Sequence, residues 1–328
     1  MRIAVLAVLA VVSGCAAVSS LGGGSPHFTP SAADDAQKMA LQSRAASDAA
    51  DSACAPQLAR SPGFEEERAV GTDLAISFAA RLGHFYLEGA SELAERKAIT
   101  LPEGNKNAVS ARVAVVGRHL ARFSARPDLP WVFGVIENGT PNSFSTPGGY
   151  VFITTGLLKK LTNEAQLAGV LGHEISHVQK KDMLKRYVSA IHKQCIAAKY
   201  AEAMIKAGGL QSPSVDQMAL FARQFDGNLD LESSDGSFKH FLLSAVMSIS
   251  MMGSDQATEF AHDKAALELL SFAGYDASEY EKFLANSPMP QHPAGAERAT
   301  RLQALREGEL KDIAIGTAKP DLSKLLAP

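Results

Sequence analysis

Cysteine is scarce: three residues in 328, too few for a disulfide scaffold. Positive charge has no surplus either. Lys+Arg is 32 against Asp+Glu 35, a formal net charge of −3, which speaks against a dedicated nucleic-acid binder. No apolar run reaches bilayer-spanning length, the one over residues 3–12 included. The best candidate, residues 241–252, is interrupted by Ser244, Ser248 and Ser250 and reads as a buried core helix. No internal repeat is present, so a solenoid or propeller is not expected. What remains is an ordinary globular composition, 46% hydrophobic and 20% charged, able to bury a core without staples.

The N-terminus is the exception. Arg2 precedes an apolar run over residues 3–12, followed by Ser13, Gly14 and Cys15. A positive start, a short apolar stretch and a small-residue end read as a secretory signal, residues 1–14. Val12-Ser13-Gly14-Cys15 resembles a bacterial lipoprotein box, which implies cleavage before Cys15 and a lipid anchor on it. Ala16 is not the aspartate that often retains lipoproteins at the inner membrane, so the expectation is the periplasmic side of the envelope, outer membrane rather than inner. Residues 15–60 are rich in Ala, Ser and Gly and read as a flexible tether, with an alanine-rich stretch over 32–53 that has some helical character. Cys54 and Cys195 either pair in an oxidising compartment or stay as separate thiols.

Residues 64–95 carry helical periodicity through Val70, Leu74, Ile76, Phe78, Leu82 and Phe85, and residues 109–123 repeat it. Residues 131–136 and 150–154 are β-rich, with a short strand expected over 143–146 and a turn at Pro147-Gly148-Gly149. Asn163 with Gln166 three positions on reads as a capping box that starts the next helix. Helical patterns then run to about Arg306, and residues 307–328 form a weakly patterned tail. The expected class is α+β: one mostly helical domain over 61–306, with a sheet of about three strands.

His173-Glu174-Ile175-Ser176-His177 is an H-E-x-x-H segment on the capped helix. Residues four apart share a helix face, so both imidazoles can reach one Zn²⁺. Glu174 beside them is placed to act as base toward a water activated by the metal. Ile175 and Ser176 face elsewhere and are expected to serve packing. A metzincin is excluded, because Lys180 stands where its glycine would be and Met183 where its last histidine would be. For a third ligand, Glu202 has no supporting motif. Glu259 is the better candidate, because Glu259 and Asp263 share a face at i, i+4 on a helix capped near Ser254 or Asp255. One could reach the metal while the other accepts a hydrogen bond from a ligand histidine. His262 is read as pointing away.

These stretches together resemble the metallopeptidase family of the CAAX prenyl protease and the HtpX heat-shock protease, in its soluble, exported bacterial branch. Asn142 to Tyr150 is similar to the family's N-A-F-x-x-P-G-G segment, 173–177 to its zinc helix, 259–275 to its third-ligand helix, and His292-Pro293 with Arg298 to its H-P-x-x-x-x-R segment. The resemblance implies a zincin-type fold and one zinc held by His173, His177 and Glu259. Glu174 would be general base and Asp263 a hydrogen-bond partner behind the ligands. Asn142, Ser143, Phe144, Ser145 and Thr146 would form a substrate-pairing edge strand. It further implies a loop role near the metal for His292 as a catalytic candidate, with Arg298 orienting that loop. Asp182 departs from the family, where a basic or histidine residue often follows the zinc helix. The activity implied is zinc-dependent cleavage of misfolded or misassembled envelope proteins, without nucleic acid. The alternative is a zinc-stabilised, chaperone-like assembly factor that does not cut.

Overall fold

The computed structural model describes residues 30–83, 85–87, 105–208, 212–226, 236–250, 255–286 and 295–311. Cys15 with its box and His292 with Pro293 lie outside the described residues. The chain divides into two units, Met1–Ala45 and Ala46–Pro328, and the H-E-x-x-H segment lies in the second.

Helices come first: α1 (Pro30–Leu58) and α2 (Phe64–Leu82). The segment expected as a flexible tether is therefore helical over its latter half. Its alanines favour helix, and Ala46, Ala50 and Cys54 recur every fourth residue and are buried. Cys54 pairs with Cys195, with Cα atoms 5.8 Å apart. This settles the open question about these two cysteines in favour of the disulfide.

Strand β1 (Phe85–Leu87) corrects the helical reading of residues 64–95. Gly83 takes a φ of +136°, which ends α2, and a Cβ there would stand 2.5 Å from the Glu137 carbonyl oxygen. Phe85 thus leaves the helix and pairs with Ile136. After α3 (Asn105–Ala121) come β2 (Val132–Ile136), β3 (Ser143–Thr146) and β4 (Tyr150–Thr154). The expected three strands are all present, and β1 adds a fourth in the order β1-β2-β4-β3. β2 and β4 run parallel, and β3 is an edge strand antiparallel to β4, with Ser143 opposite Ile153 and Thr146 opposite Tyr150.

The sheet lies between two apolar clusters. Phe133, Val135, Val151 and Ile153 face one. Phe85, Ile136, Tyr150 and Phe152 face the other. A strand buried on both faces reads as a continuous apolar run, as β4 does. The turn between β3 and β4 is clamped from α2. Gly148 and Gly149 both have positive φ. Glu67 accepts the Gly148 N–H at 3.1 Å, and Arg68 donates to the Gly148 carbonyl at 2.7 Å. Gly71 is required here, since a Cβ would meet the Pro147 oxygen at 1.8 Å.

The remaining helices are α4 (Thr155–Leu158), α5 (Glu164–Gln179), α6 (Asp182–Lys206), α7 (Pro213–Leu220), α8 (Gly236–Ser250), α9 (Gln256–Phe272), α10 (Ser278–Asn286) and α11 (Gly295–Glu307). The apolar stretch at 241–250 is part of α8, with Leu242, Leu243, Val246 and Met247 in the core. Among the described residues no helix is long and apolar enough to cross a membrane.

The Cys54–Cys195 bridge closes a loop of 141 residues. On chain-entropy grounds such a closure stabilises by up to about 5 kcal/mol. Replacing both cysteines by serine is expected to cost about 2–4 kcal/mol in denaturant unfolding. A midpoint unchanged from the oxidised wild type would contradict this account.

Candidate metal centre

Helix α5 starts as expected. The Asn163 side chain accepts the Gln166 N–H at 3.0 Å, and the Gln166 side chain reaches back to the Thr162 N–H at 2.9 Å. Its apolar face carries the H-E-x-x-H segment into the core, where His173 is 2% exposed and Glu174 3%. Two glycines let neighbours approach. A Cβ on Gly169 would stand 2.3 Å from the Tyr280 ring, and one on Gly172 3.4 Å from Ala266 of α9. Helix α9 is capped by Asp255, which accepts the Thr258 N–H at 2.9 Å. It presents Glu259, His262 and Asp263, all buried.

His173 and His177 turn their Nε2 atoms toward each other, 3.2 Å apart. Glu259 completes the triangle, with Oε2 at 3.3 Å from His173 Nε2 and Oε1 at 4.0 Å from His177 Nε2. The far ring nitrogens each face a carboxylate: His173 Nδ1 meets Asp263 Oδ1 at 2.9 Å, and His177 Nδ1 meets Asp182 Oδ2 at 3.1 Å. A carboxylate only accepts, so the proton of each neutral ring sits on Nδ1. Two lone pairs then confront one another at Nε2, an arrangement that calls for a cation between them. Donors bound to one zinc at about 2.1 Å in tetrahedral geometry lie roughly 3.4 Å apart, close to the spacings found. Charge points the same way. The buried carboxylates of Glu174, Glu259 and Asp263 accompany one buried guanidinium, Arg298, a formal balance of 1 − 3 = −2 that one divalent cation would neutralise. The donor set therefore fits zinc.

Asp263 anchors the centre. Arg298 of α11 grips it with two bonds, Nε to Oδ2 at 2.6 Å and Nη2 to Oδ1 at 2.6 Å, and the Tyr280 hydroxyl donates at 2.9 Å. Burial opposes its ionisation, but the Arg298 and His173 contacts outweigh that and hold the pKa down to about 2. Burial likewise opposes protonation of His173, yet hydrogen bonds to Asp263 and Glu259 raise it to about 9. This is another mark of a pocket that attracts positive charge. Arg298, 1% exposed, braces Asp263 from behind.

Glu174 is held by the edge strand. Ser143 donates to Oε1 at 2.8 Å and Ser145 to Oε2 at 3.1 Å. Phe144, on the opposite face, packs on Phe78 and Phe152 with centroids 4.5 and 5.3 Å away, and Thr146 donates to the Gly71 carbonyl at 2.9 Å. Asn142 precedes the strand, and its N–H is bonded to the Thr154 hydroxyl at 2.9 Å.

Two residues escaped the sequence reading. His262 does not point away: three helical steps are 300°, which leaves it 60° from Glu259 on the same side. It is 1% exposed, and its ring lies 3.7 Å from that of His177. Ser176, expected only to pack, is hydrogen-bonded to His262 Nδ1 at 2.9 Å. Asp182 stands between His177 and His262, 2.7 Å from His262 Nε2. Glu202, by contrast, is paired with Lys206 on the outer part of α6.

An H-E-x-x-H helix whose two histidines meet a glutamate from a later helix is the donor arrangement of zincin-type metallopeptidases. The model of peptidase family M48 matches residues 107–307, more than half of the chain, and the chain belongs to that family. It is 36% identical over 132 residues to a "Protease HtpX homolog" of Acidiphilium cryptum, covering 39% of this chain and 44% of the relative. It is 35% identical over 106 residues to the "Mitochondrial metalloendopeptidase OMA1" of Schizosaccharomyces pombe, 32% of this chain and 30% of the relative. A "Protease HtpX" of Legionella pneumophila matches at 43% over 70 residues, 20% of this chain and 24% of the relative. The chain thus spans less than half the length of each. The family expected from the four motifs is the family found.

Arg298→Ala would leave the Asp263 carboxylate buried without its cation, and is expected to cost about 3–5 kcal/mol of stability. Urea unfolding in excess chelator checks this apart from any metal contribution. A loss below about 1 kcal/mol would mean the pair is not a structural tie.

Proposed function

We propose that this protein is a zinc-dependent endopeptidase of the bacterial envelope. The observation that carries the reading is the convergence of His173, His177 and Glu259 beside a Glu174 whose two oxygens are each held by a serine hydroxyl. Zinc bound by those three donors supplies Lewis acidity toward a water and a peptide carbonyl. Glu174 takes the proton of the attacking water and passes it to the departing amine. Ser143 and Ser145 each donate a hydrogen bond to one oxygen of its carboxylate and so keep it aimed. Glu259 is fixed from the side of Arg298, whose Nη2 lies 3.9 Å from Oε2.

Substrate reaches the base along β3. An edge strand offers unpaired backbone groups, and an extended chain can add to it as a further strand. Because Ser143 and Ser145 of the same strand touch Glu174, a peptide paired there runs past the base. This mode reads backbone rather than sequence, so it suits unfolded or misassembled envelope proteins. The Cys15 box supports lipid anchoring, with the catalytic unit facing the periplasm from the outer membrane. His292 is retained as a candidate near the metal from its motif alone.

A digest of casein by protein lacking residues 1–15 tests this. Wild type loaded with zinc is expected to cleave, and chelator to stop it. Glu174→Gln should lose at least about 10²–10⁴-fold in rate while keeping its zinc. His173→Ala should lose both. Cleavage retained by Glu174→Gln would refute the mechanism, and no cleavage by zinc-loaded wild type would favour the non-cutting assembly factor.

A further inference from the structure

The polar groups on the outer side of His177 exceed what a lone ligand histidine needs. Asp182 Oδ2 lies 3.1 Å from His177 Nδ1 and 2.7 Å from His262 Nε2. His262 Nδ1 is in turn bonded to Ser176 at 2.9 Å, and Ser176 adjoins His177 on α5. The result is a cluster of four polar side chains drawn from three helices. The backbone is bent to make it. Lys181 adopts the left-handed conformation, φ 56°, a strained choice for a residue with a side chain. That residue joins α5 to α6 and turns Asp182, the first residue of α6, back beneath His177. His173 shows the same plan in different residues: a carboxylate on Nδ1, Asp263, braced from behind by Arg298 and Tyr280.

We propose that Asp182 and His262 are a positioning pair for His177. Asp182 accepts the Nδ1–H hydrogen bond and keeps the Nε2 lone pair on the metal side, and His262 flanks the Asp182 carboxylate while its ring packs at a tilt against that of His177. The proposal rests on His177 being a zinc ligand. The same three side chains also have donor atoms close enough to cradle an ion of their own. The spacing argues for direct pairing instead. The 2.7 Å contact between Asp182 and His262 is well inside the roughly 3.4 Å that two donors keep on one zinc. A second ion would also require His177 to give up its remaining ring proton.

The test is zinc affinity of the full chain, read by competition with a chromophoric chelator, together with zinc stoichiometry and melting in excess chelator. Asp182→Asn is expected to weaken zinc binding about 10–100-fold, with the chelated protein melting as wild type does. Asp182→Glu should recover part of the loss. His262→Ala should weaken binding less, and the double variant no more than Asp182→Asn alone, because His262 acts through Asp182. Zinc affinity within two-fold of wild type in Asp182→Asn, when His177→Ala has lost it, would overturn the pairing and leave the ligand reading intact. Full affinity in His177→Ala would overturn both. Two zinc ions per wild-type chain and one in Asp182→Asn would overturn the pairing in favour of a second metal site. Should Asp182→Asn not fold, His262→Ala decides by the same readout, and unchanged affinity there overturns the proposal.

Discussion

The buried pair of Asp263 and Arg298 is the constraint on which the centre depends. A carboxylate that is fully buried is tolerable only with a cation and its lone pairs satisfied. Here Arg298 supplies the cation, Tyr280 a hydroxyl and His173 a ring proton. Those partners come from α11, α10 and α5, so a single charge requirement registers three helices against α9. The metal side of His173 is then set from behind: once its Nδ1 is committed to Asp263, only Nε2 is left to face His177 and Glu259. Geometry at the centre follows from electrostatics one layer out.

The other half of the centre is built from the sheet. Glu67 and Arg68 on α2 clamp the Gly148 turn, which fixes where β3 leaves the turn and hence where Ser143 and Ser145 fall. Strand alternation does the rest. Odd positions 143 and 145 face Glu174, while Phe144 packs into the opposite cluster with Phe78 and Phe152. A slip of one residue would put Phe144 against the base and bring both serines into an apolar core, at the cost of two unsatisfied hydroxyls. Register and the alignment of Glu174 are therefore one constraint.

Much of this was legible in the sequence because the periods are short. Four-residue spacing put His173 with His177 and Glu259 with Asp263 on common faces. β-rich composition put β4 in the sheet with β3 expected beside it, and the Asn163 cap located the start of α5. What escaped were relations between elements. Phe85 satisfies a helical period as well as a strand one, and only the positive φ at Gly83 decides between them. The alanine-rich stretch before residue 60 has too little apolar surface to announce its burial, and its partner Cys195 lies 141 residues away. Asp182 and His262 carry no spacing signal toward each other, being on different helices. His262 was misjudged for a simpler reason, since a step of three residues along a helix returns to nearly the same side.

The two histidines of the H-E-x-x-H helix are thus supported in unlike ways, and the difference has a consequence for the proposed reaction. Behind His173 the brace is a guanidinium, a permanent charge gripped bidentately and sealed from water. Behind His177 it is an imidazole. Burial and the neighbouring histidines hold His262 below its ordinary range, at about 4, while both rings hold the Asp182 carboxylate well below the usual carboxylate range. Asp182 is thus charged and His262 neutral across the physiological range, so the carboxylate behind His177 is not offset by a cation as Asp263 is by Arg298. His177 is also the more exposed of the two, at 16% against 3% for the side chain. In the proposed enzyme, a ligand on the more exposed side of the centre, backed by a neutral ring, has more freedom to shift as substrate enters than one locked behind a buried ion pair. The asymmetry assigns His173 to the fixed half of the centre and His177 to the half that can adjust.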